Sequence, residues 1–251
     1  MNDIGDRVVD MQRPTTGRPS QVVGIIIPAR NEAGAIGRVL ADIPRKRVGH
    51  IIVVDNGSTD DTAAVATANG AQVIFEPRPG YGRACLSGVA ALDPAVETVV
   101  FLDGDYSDHP EEIELLLKPI EEGRADLVIG SRTQNAKPGS LTPQQRFGNR
   151  LACWLMQRCF GIRYTDLGPF RAIRRQALDR LGMQDTAFGW TVEMQAKAAR
   201  HRLRVAEVAV RYRPRIGRSK ISGTLQGTIK AGLAILLTIF RIALQSPAEH
   251  A

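Results

Sequence analysis

From Val22 onward the chain alternates short apolar runs with stretches of helical period, and each early run stops abruptly at a polar or glycine-rich loop. Residues 22–27, 50–54, 72–75 and 99–102 read as buried strands, while 33–43, 59–69 and 83–92 between them read as helices. In the first helix Ile36, Val39, Leu40 and Ile43 share one face. In the second, Asp60 and Asp61 favour the first turn and Asn69-Gly70 closes the last. This alternation predicts an α/β fold, a doubly wound and mostly parallel sheet flanked by helices. Ligands in such sheets bind beyond the carboxyl ends of the strands. Four ends carry polar sequence here, at 28–32, 55–58, 77–82 and 103–108, so topology alone gathers a binding site.

The fourth of these ends is the most pointed. Val99-Val-Phe-Leu102 runs into two carboxylates, Asp103 and Asp105, with Gly104 between them. Acids one residue apart face opposite sides of a strand, but a glycine just past the strand end lets the backbone turn both towards one point. Hard divalent cations such as Mg²⁺ or Mn²⁺ take carboxylate oxygens and keep other positions for water or substrate phosphate. The competing reading is a polar turn whose aspartates cap the helix beginning near Pro110.

The 251 residues suffice for one α/β domain with a full core, and 43% hydrophobic content fits a soluble globular class. A net charge of +7 points to an anionic partner: nucleic acid, membrane surface or a phosphorylated small molecule. Nucleic acid is disfavoured by the 5% aromatic content and the lack of any recognised binding module. Three scattered cysteines, Cys85, Cys153 and Cys159, offer neither a disulfide framework nor zinc-ligand spacing and suit a reducing cytosol. Residues 1–20 read as a disordered leader without the apolar core of a signal peptide. Gly80-x-Gly82 after a strand suggests a dinucleotide fingerprint, but its third position is Cys85, so a nicotinamide oxidoreductase is not expected.

The second half is less regular. A strand at 125–129 leads to Gly130-Ser131-Arg132, 146–160 is helical, and 165–171 passes from loop to strand. Helices at 174–181 and 190–200 precede an alternating strand at 204–212. Arg211, Arg213 and Arg215 alternate, placing them on one face of an extended chain, and Arg218 and Lys220 follow. They read either as a charged strand edge or as a phosphate clamp hinged at Gly217. The domain is expected to span 21–223, with an amphipathic segment at 224–251. There Lys230 and Arg241 bracket only ten residues, whereas a membrane span needs about twenty. Gln226, Lys230, Ala234, Thr238, Arg241 and Gln245 form a polar stripe on this helix. It is expected to pack on the domain, join a homodimer or lie in a membrane interface, and the basic charge favours an anionic membrane surface.

Taken in order, several motifs resemble those of inverting glycosyltransferases of family 2, and among these the polyprenyl-phosphate enzymes of the dolichyl-phosphate mannose synthase type. Pro28-Ala-Arg30-Asn-Glu32 resembles the turn lying against the donor nucleotide, and Val54, Asp55 and Asn56 the element beside base and ribose, with Asn56 where relatives often carry Asp. Asp103-Gly104-Asp105-Tyr-Ser107-Asp-His-Pro110 resembles the metal-binding Asp-x-Asp element, with Ser107 where some relatives carry Gln. Gly130-Ser131-Arg132 matches a further motif. Asp166–Arg171 resembles another that is one residue longer, with Pro169 in place of a small polar residue. Arg215–Lys220 resembles a phosphate-binding Arg-x-x-Gly-x-Ser-Lys, again one residue shorter, so its arginine is Arg213 or Arg215.

The resemblance implies a GT-A fold and metal-dependent inverting transfer of a hexose from a nucleotide sugar of the GDP-mannose or UDP-glucose type. The implied acceptor is a polyprenyl or dolichyl phosphate, met by a peripheral enzyme at the cytoplasmic membrane face. It implies Asp105 as the direct ligand of Mg²⁺ or Mn²⁺, with Asp103 in support, and Asp103, Asp105, Arg132 and Lys220 as the catalytic set. Donor contacts fall to Pro28, Arg30, Glu32, Val54, Asp55, Asn56, Asp103, Gly104, Asp105, Arg132, Arg215 and Lys220, with Asp103 touching the ribose or supporting the metal through water. Acceptor contacts fall to Arg132, Arg146, Asp166, Arg171 and Glu193. A phosphate acceptor is already a nucleophile and needs positioning. A hydroxyl acceptor, the alternative, would need Asp166 or Glu193 as base.

Overall fold

The computed structural model describes residues 22–217 and 225–245, so the leader, Arg218 and Lys220 lie outside the described residues. The strands are β1 (Val23–Ala29), β2 (His50–Asp55), β3 (Gln72–Phe75), β4 (Thr98–Phe101), β5 (Leu127–Ala136), β6 (Arg171–Arg174) and β7 (Val205–Tyr212). They form one sheet in the order β3-β2-β1-β4-β6-β5-β7. β6 alone runs against its neighbours, pairing antiparallel with β4 and β5, while the other pairs are parallel. A parallel sheet buried on both faces requires continuous apolar strands, and Ile25, Ile26 and Ile27 are all fully buried.

Helices cover both faces. Ile25, Ile27, Val53 and Val100 pack with α1 (Ala33–Asp42), α2 (Thr62–Ala68) and α4 (Ile113–Glu121). On the other side Ile26, Val54 and Phe101 meet α3 (Tyr81–Ala90), α5 (Pro143–Phe160), α6 (Arg175–Leu181) and α7 (Trp190–Arg200). Phe101 and Trp190 meet edge to face there, with ring centroids 5.8 Å apart.

The two helix starts that differ most from the sequence expectation, by three residues each, do so for local reasons. α2 begins at Thr62, not 59, because the Asp60 carboxylate accepts the Thr62 amide and the Ala33 amide, tying two loops together ahead of the helix. α5 begins at Pro143, not 146, because Thr142 and Gln145 form a reciprocal capping box with proline in the first turn.

The C-terminal helix α8 (Leu225–Leu244) packs on α5 and α7 through Ile235, Ile239 and Ile242. Its expected polar stripe does not simply face solvent: Thr238 is buried and turned towards Asp185. Leu233, Leu237, Phe240 and Leu244 are exposed instead, at helical spacing on the outward side. No described helix is long and apolar enough to cross a membrane.

Candidate active site

The carboxyl ends of β1, β2 and β4 converge on a cleft of about 370 Å³. Pro28, Arg30, Glu32, Asn56, Asp103, Asp105 and Arg215 all line it. The first two loops are locked together. Asn31, at φ 54°, donates its amide to Ser58 Oγ and accepts the Thr59 amide at 2.7 Å, while the Glu32 amide reaches Thr62 Oγ1 at 2.8 Å.

Asn56 is used up within the protein. Its Nδ2 donates to the carbonyls of Glu76 and Arg78, and its Oδ1 accepts the Gly80 amide at 2.8 Å. An aspartate could not make the two donations, so the side chain here holds the β3–α3 loop and shapes the cleft wall. Val54 is wholly buried beneath, and Asp55 accepts the Ser58 amide through Oδ1, so both support the cleft floor from outside its lining.

At the end of β4 the turn is made at Tyr106, whose φ of 64° is costly for a non-glycine residue. The cost is met by neighbours: the Arg213 guanidinium lies 3.4 Å from the Tyr106 ring centroid, and the Tyr106 hydroxyl donates to Asp42 at 2.7 Å. Gly104 packs under β1, near Pro28 and Ala29, and does not line the cleft. Asp103 accepts a hydrogen bond from the Tyr81 hydroxyl at 3.1 Å, and Asp105 accepts the Ser107 amide and hydroxyl at 2.9 and 2.5 Å.

Burial, and then the charge of Asp105, pushes the Asp103 carboxyl up to about 7. Asp108, buried behind them with no hydrogen-bond partner for either carboxylate oxygen, is also pushed up, by burial and then by Asp103. Excess buried negative charge calls for a cation. In the structure Arg215 serves, with Nη1 3.2 Å from Asp105 and Nη2 2.8 Å from Glu32. No cluster of three or more His, Cys, Asp or Glu side chains suited to a metal exists among the described residues. A pair of carboxylates facing an open cleft nevertheless fits Mg²⁺ or Mn²⁺, which complete their shells with water and phosphate oxygens.

Arg211, Arg213 and Arg215 do not share a face. Arg211 pairs with Glu111 and Glu112, and Arg213 braces the Tyr106 turn through the carbonyls of Tyr106 and Asp108. Arg215 alone of the three lines the cleft. The amides of Arg213 and Ile216 bond the carbonyls of Ser107 and Asp105 at 3.0 Å, fastening this segment over the carboxylates.

A second, wider groove of about 750 Å³ runs between α5, α8 and the 163–167 loop. Arg132, Arg146 and Asp166 line it. Arg132 lies near enough to Asp103 to draw its pKa down against the burial, but lines this groove and not the first cleft. Its Nε and Nη2 grip Asp166 at 2.8 and 2.7 Å, and it stacks 5.0 Å from the Tyr212 ring centroid. Burial raises the Asp166 pKa, but Arg132 outweighs it and holds the carboxyl below its usual range.

Two expected acceptor residues are not brought to the groove. Arg171 is fully buried and donates to the carbonyls of Leu167, Gly168 and Thr191, propping the loop from beneath, with burial lowering its pKa to about 10. Glu193 is likewise buried, accepting the amides of Gln184 and Asp185 and pairing with Lys197 at 2.8 Å. Sequence reasoning missed Tyr81, Ala187 and Phe188 in the cleft, and Arg150, Trp154 and Arg163 in the groove. Arg150 was findable: it follows Arg146 by four residues and shares its helix face.

A doubly wound sheet with one antiparallel strand, an Asp-x-Asp turn at its central strand end and a cleft across the switch point defines a glycosyltransferase of the GT-A fold. The chain belongs to glycosyl transferase family 2, whose model matches residues 24–182. It is 41% identical over 214 residues to an uncharacterized glycosyltransferase of Mycobacterium tuberculosis, covering 83% of this chain and 94% of that one. It is 31% identical to polyprenol monophosphomannose synthase of Mycolicibacterium smegmatis, covering 84% of this chain and 85% of the relative. Among solved structures, glucosyl-3-phosphoglycerate synthase from Mycobacterium tuberculosis, in complex with Mn²⁺, UDP-glucose and phosphoglyceric acid, matches with TM-score 0.73. At 23% identity, over 91% of this chain and 81% of that one, this likeness establishes the fold.

Proposed function

We propose that the protein transfers a hexose from a nucleotide sugar to a polyprenyl phosphate, with inversion and with Mg²⁺ or Mn²⁺, at the cytoplasmic face of the membrane. The observation that carries the acceptor class is the state of the two carboxylates the sequence offers as bases. Both oxygens of Asp166 are taken by Arg132, and both oxygens of Glu193 by amides and Lys197. Both are committed to charged partners, which disfavours them as bases for a hydroxyl, whereas a phosphate monoester arrives ionised and needs only alignment.

The rest of the site suits that reaction. The cleft would take the nucleoside diphosphate, with Asp105 as direct metal ligand and Asp103 in support. The metal would offset the charge that grows on the leaving diphosphate. Arg215, already in the cleft, can turn its guanidinium to phosphate oxygens, which it fits in bidentate fashion. In the groove Arg146, Arg150 and Arg163 would provide cations for the acceptor phosphate, and the Arg132–Asp166 pair fixes part of the groove lining. Trp154 at the groove, with Phe147 and the outward leucines of α8, offers an apolar surface for the isoprenoid and the bilayer. The basic net charge suits an anionic membrane surface.

Release of nucleoside diphosphate from GDP-mannose and from UDP-glucose, measured against polyprenyl phosphate, phosphoglycerate and free hexose as acceptors, tests the reading. Acceleration by polyprenyl phosphate alone is expected; acceleration only by phosphoglycerate or free hexose would overturn it.

A further inference from the structure

We propose that Thr238, on the C-terminal helix α8, is a positioning residue for the donor cleft, acting through Asp185 and the segment 185–189. This rests on the cleft being the donor site. A threonine in the charge-free run of an amphipathic helix has no evident task in the sequence. In the structure it is 5% exposed, and its hydroxyl donates to Asp185 Oδ2 at 3.3 Å. The other oxygen of Asp185 accepts the amides of Ala187 and Gly189 at 2.8 and 3.1 Å, so this carboxylate sets the shape of the turn before α7.

That turn is part of the donor wall. Ala187 and Phe188 line the cleft together with Asp103 and Asp105. The carbonyls of Thr186 and Ala187 accept the amides of Arg83 and Gly82, each at 3.1 Å, which fixes the first turn of α3, where Tyr81 starts the helix and reaches Asp103. Clearance is minimal. A Cβ at Gly82 would lie 2.0 Å from the Asp185 carbonyl oxygen, and one at Gly189 would lie 2.3 Å from Asp185 Oδ2 and 2.4 Å from Thr238 Oγ1. The segment is therefore clamped between α3 and α8, and a bond made on α8 is felt at the cleft wall beside Tyr81 and Asp103.

Thr238→Val keeps the shape and removes the hydroxyl, while Thr238→Ser keeps the hydroxyl. With Mn²⁺ present, GDP and UDP binding is measured by calorimetry on the full chain. For Thr238→Val the dissociation constant of the better-bound nucleotide is expected to rise about tenfold, equivalent to about 1.4 kcal/mol. Thr238→Ser is expected to stay within about twofold of the unmodified protein. Hydrogen exchange at the Ala187 and Gly189 amides is expected to quicken in the valine variant alone, a readout independent of nucleotide. Unchanged exchange would overturn the proposal even if binding fell. Unchanged affinity with quickened exchange would overturn the link to the donor. Should the unmodified protein bind neither nucleotide, the donor reading itself fails, and the exchange data then stand as a separate result on the clamp.

Discussion

The Arg215 guanidinium bridges two carboxylates, 3.2 Å from Asp105 Oδ2 and 2.8 Å from Glu32 Oε1, at the mouth of the cleft. It thus holds a cation at the carboxylate best placed to bind a metal. Replacing it by methionine removes a competing charge, so Mn²⁺ binding without nucleotide should tighten by about three- to tenfold, the size of a partly exposed ion pair. Electron paramagnetic resonance titration of free Mn²⁺ measures this. The same variant should bind nucleoside diphosphate more weakly, since the phosphates lose a bidentate partner.

Asp105→Ala should lower turnover by about a thousandfold or more, the scale of losing transition-state charge stabilisation. Folding should persist, because Glu32 still pairs with Arg215 and burial of one carboxylate is relieved. Near-normal turnover in a folded variant would remove the metal from the mechanism.

Much of this arrangement is legible in the chain. Strand ends after Ala29, Asp55 and Phe101 gather the cleft, because parallel topology sends them to one edge. What the sequence hides is how side chains are spent. Arg171 and Glu193 carry the residue types of a binding site, yet backbone carbonyls and amides consume them, and backbone partners leave no mark on residue type; only Lys197, four residues after Glu193, is readable as a partner. Arg211, Arg213 and Arg215 alternate, but β7 ends at Tyr212, so the chain leaves strand geometry and the face is lost. The polar stripe of α8 shows the same limit: Thr238 lies on the side packed inward with Ile235, Ile239 and Ile242, and its partner Asp185 is 53 residues away.

The Arg132–Asp166 pair gives a pH signature. Burial would raise the Asp166 pKa, but Arg132 outweighs it, so the folded value lies below the unfolded one near 4. A depressed carboxyl adds stability that is fully present above about pH 4 and lost as pH falls through the folded pKa. Asp166→Asn should therefore cost about 3 kcal/mol or more at pH 7 by leaving Arg132 buried without its counter-charge. The gap in urea unfolding should narrow as pH falls below about 4.

The outward face of α8 is predicted to touch lipid. Leu237 and Phe240 are 67% and 46% exposed, so replacing both by glutamate should not disturb the core. Sedimentation with vesicles containing anionic phospholipid should retain the unmodified protein and release the double variant. Release of the variant from dimer to monomer, with no vesicle binding by either, would assign the face to a second copy instead.

The most direct measurement follows labelled hexose from GDP-mannose or UDP-glucose into the organic phase, with Mn²⁺, offering polyprenyl phosphate or the unphosphorylated polyprenol. Label is expected in lipid only with the phosphate, and only when the metal is present. Transfer to polyprenol at equal rate, or none to the phosphorylated lipid by protein active on another acceptor, would contradict it.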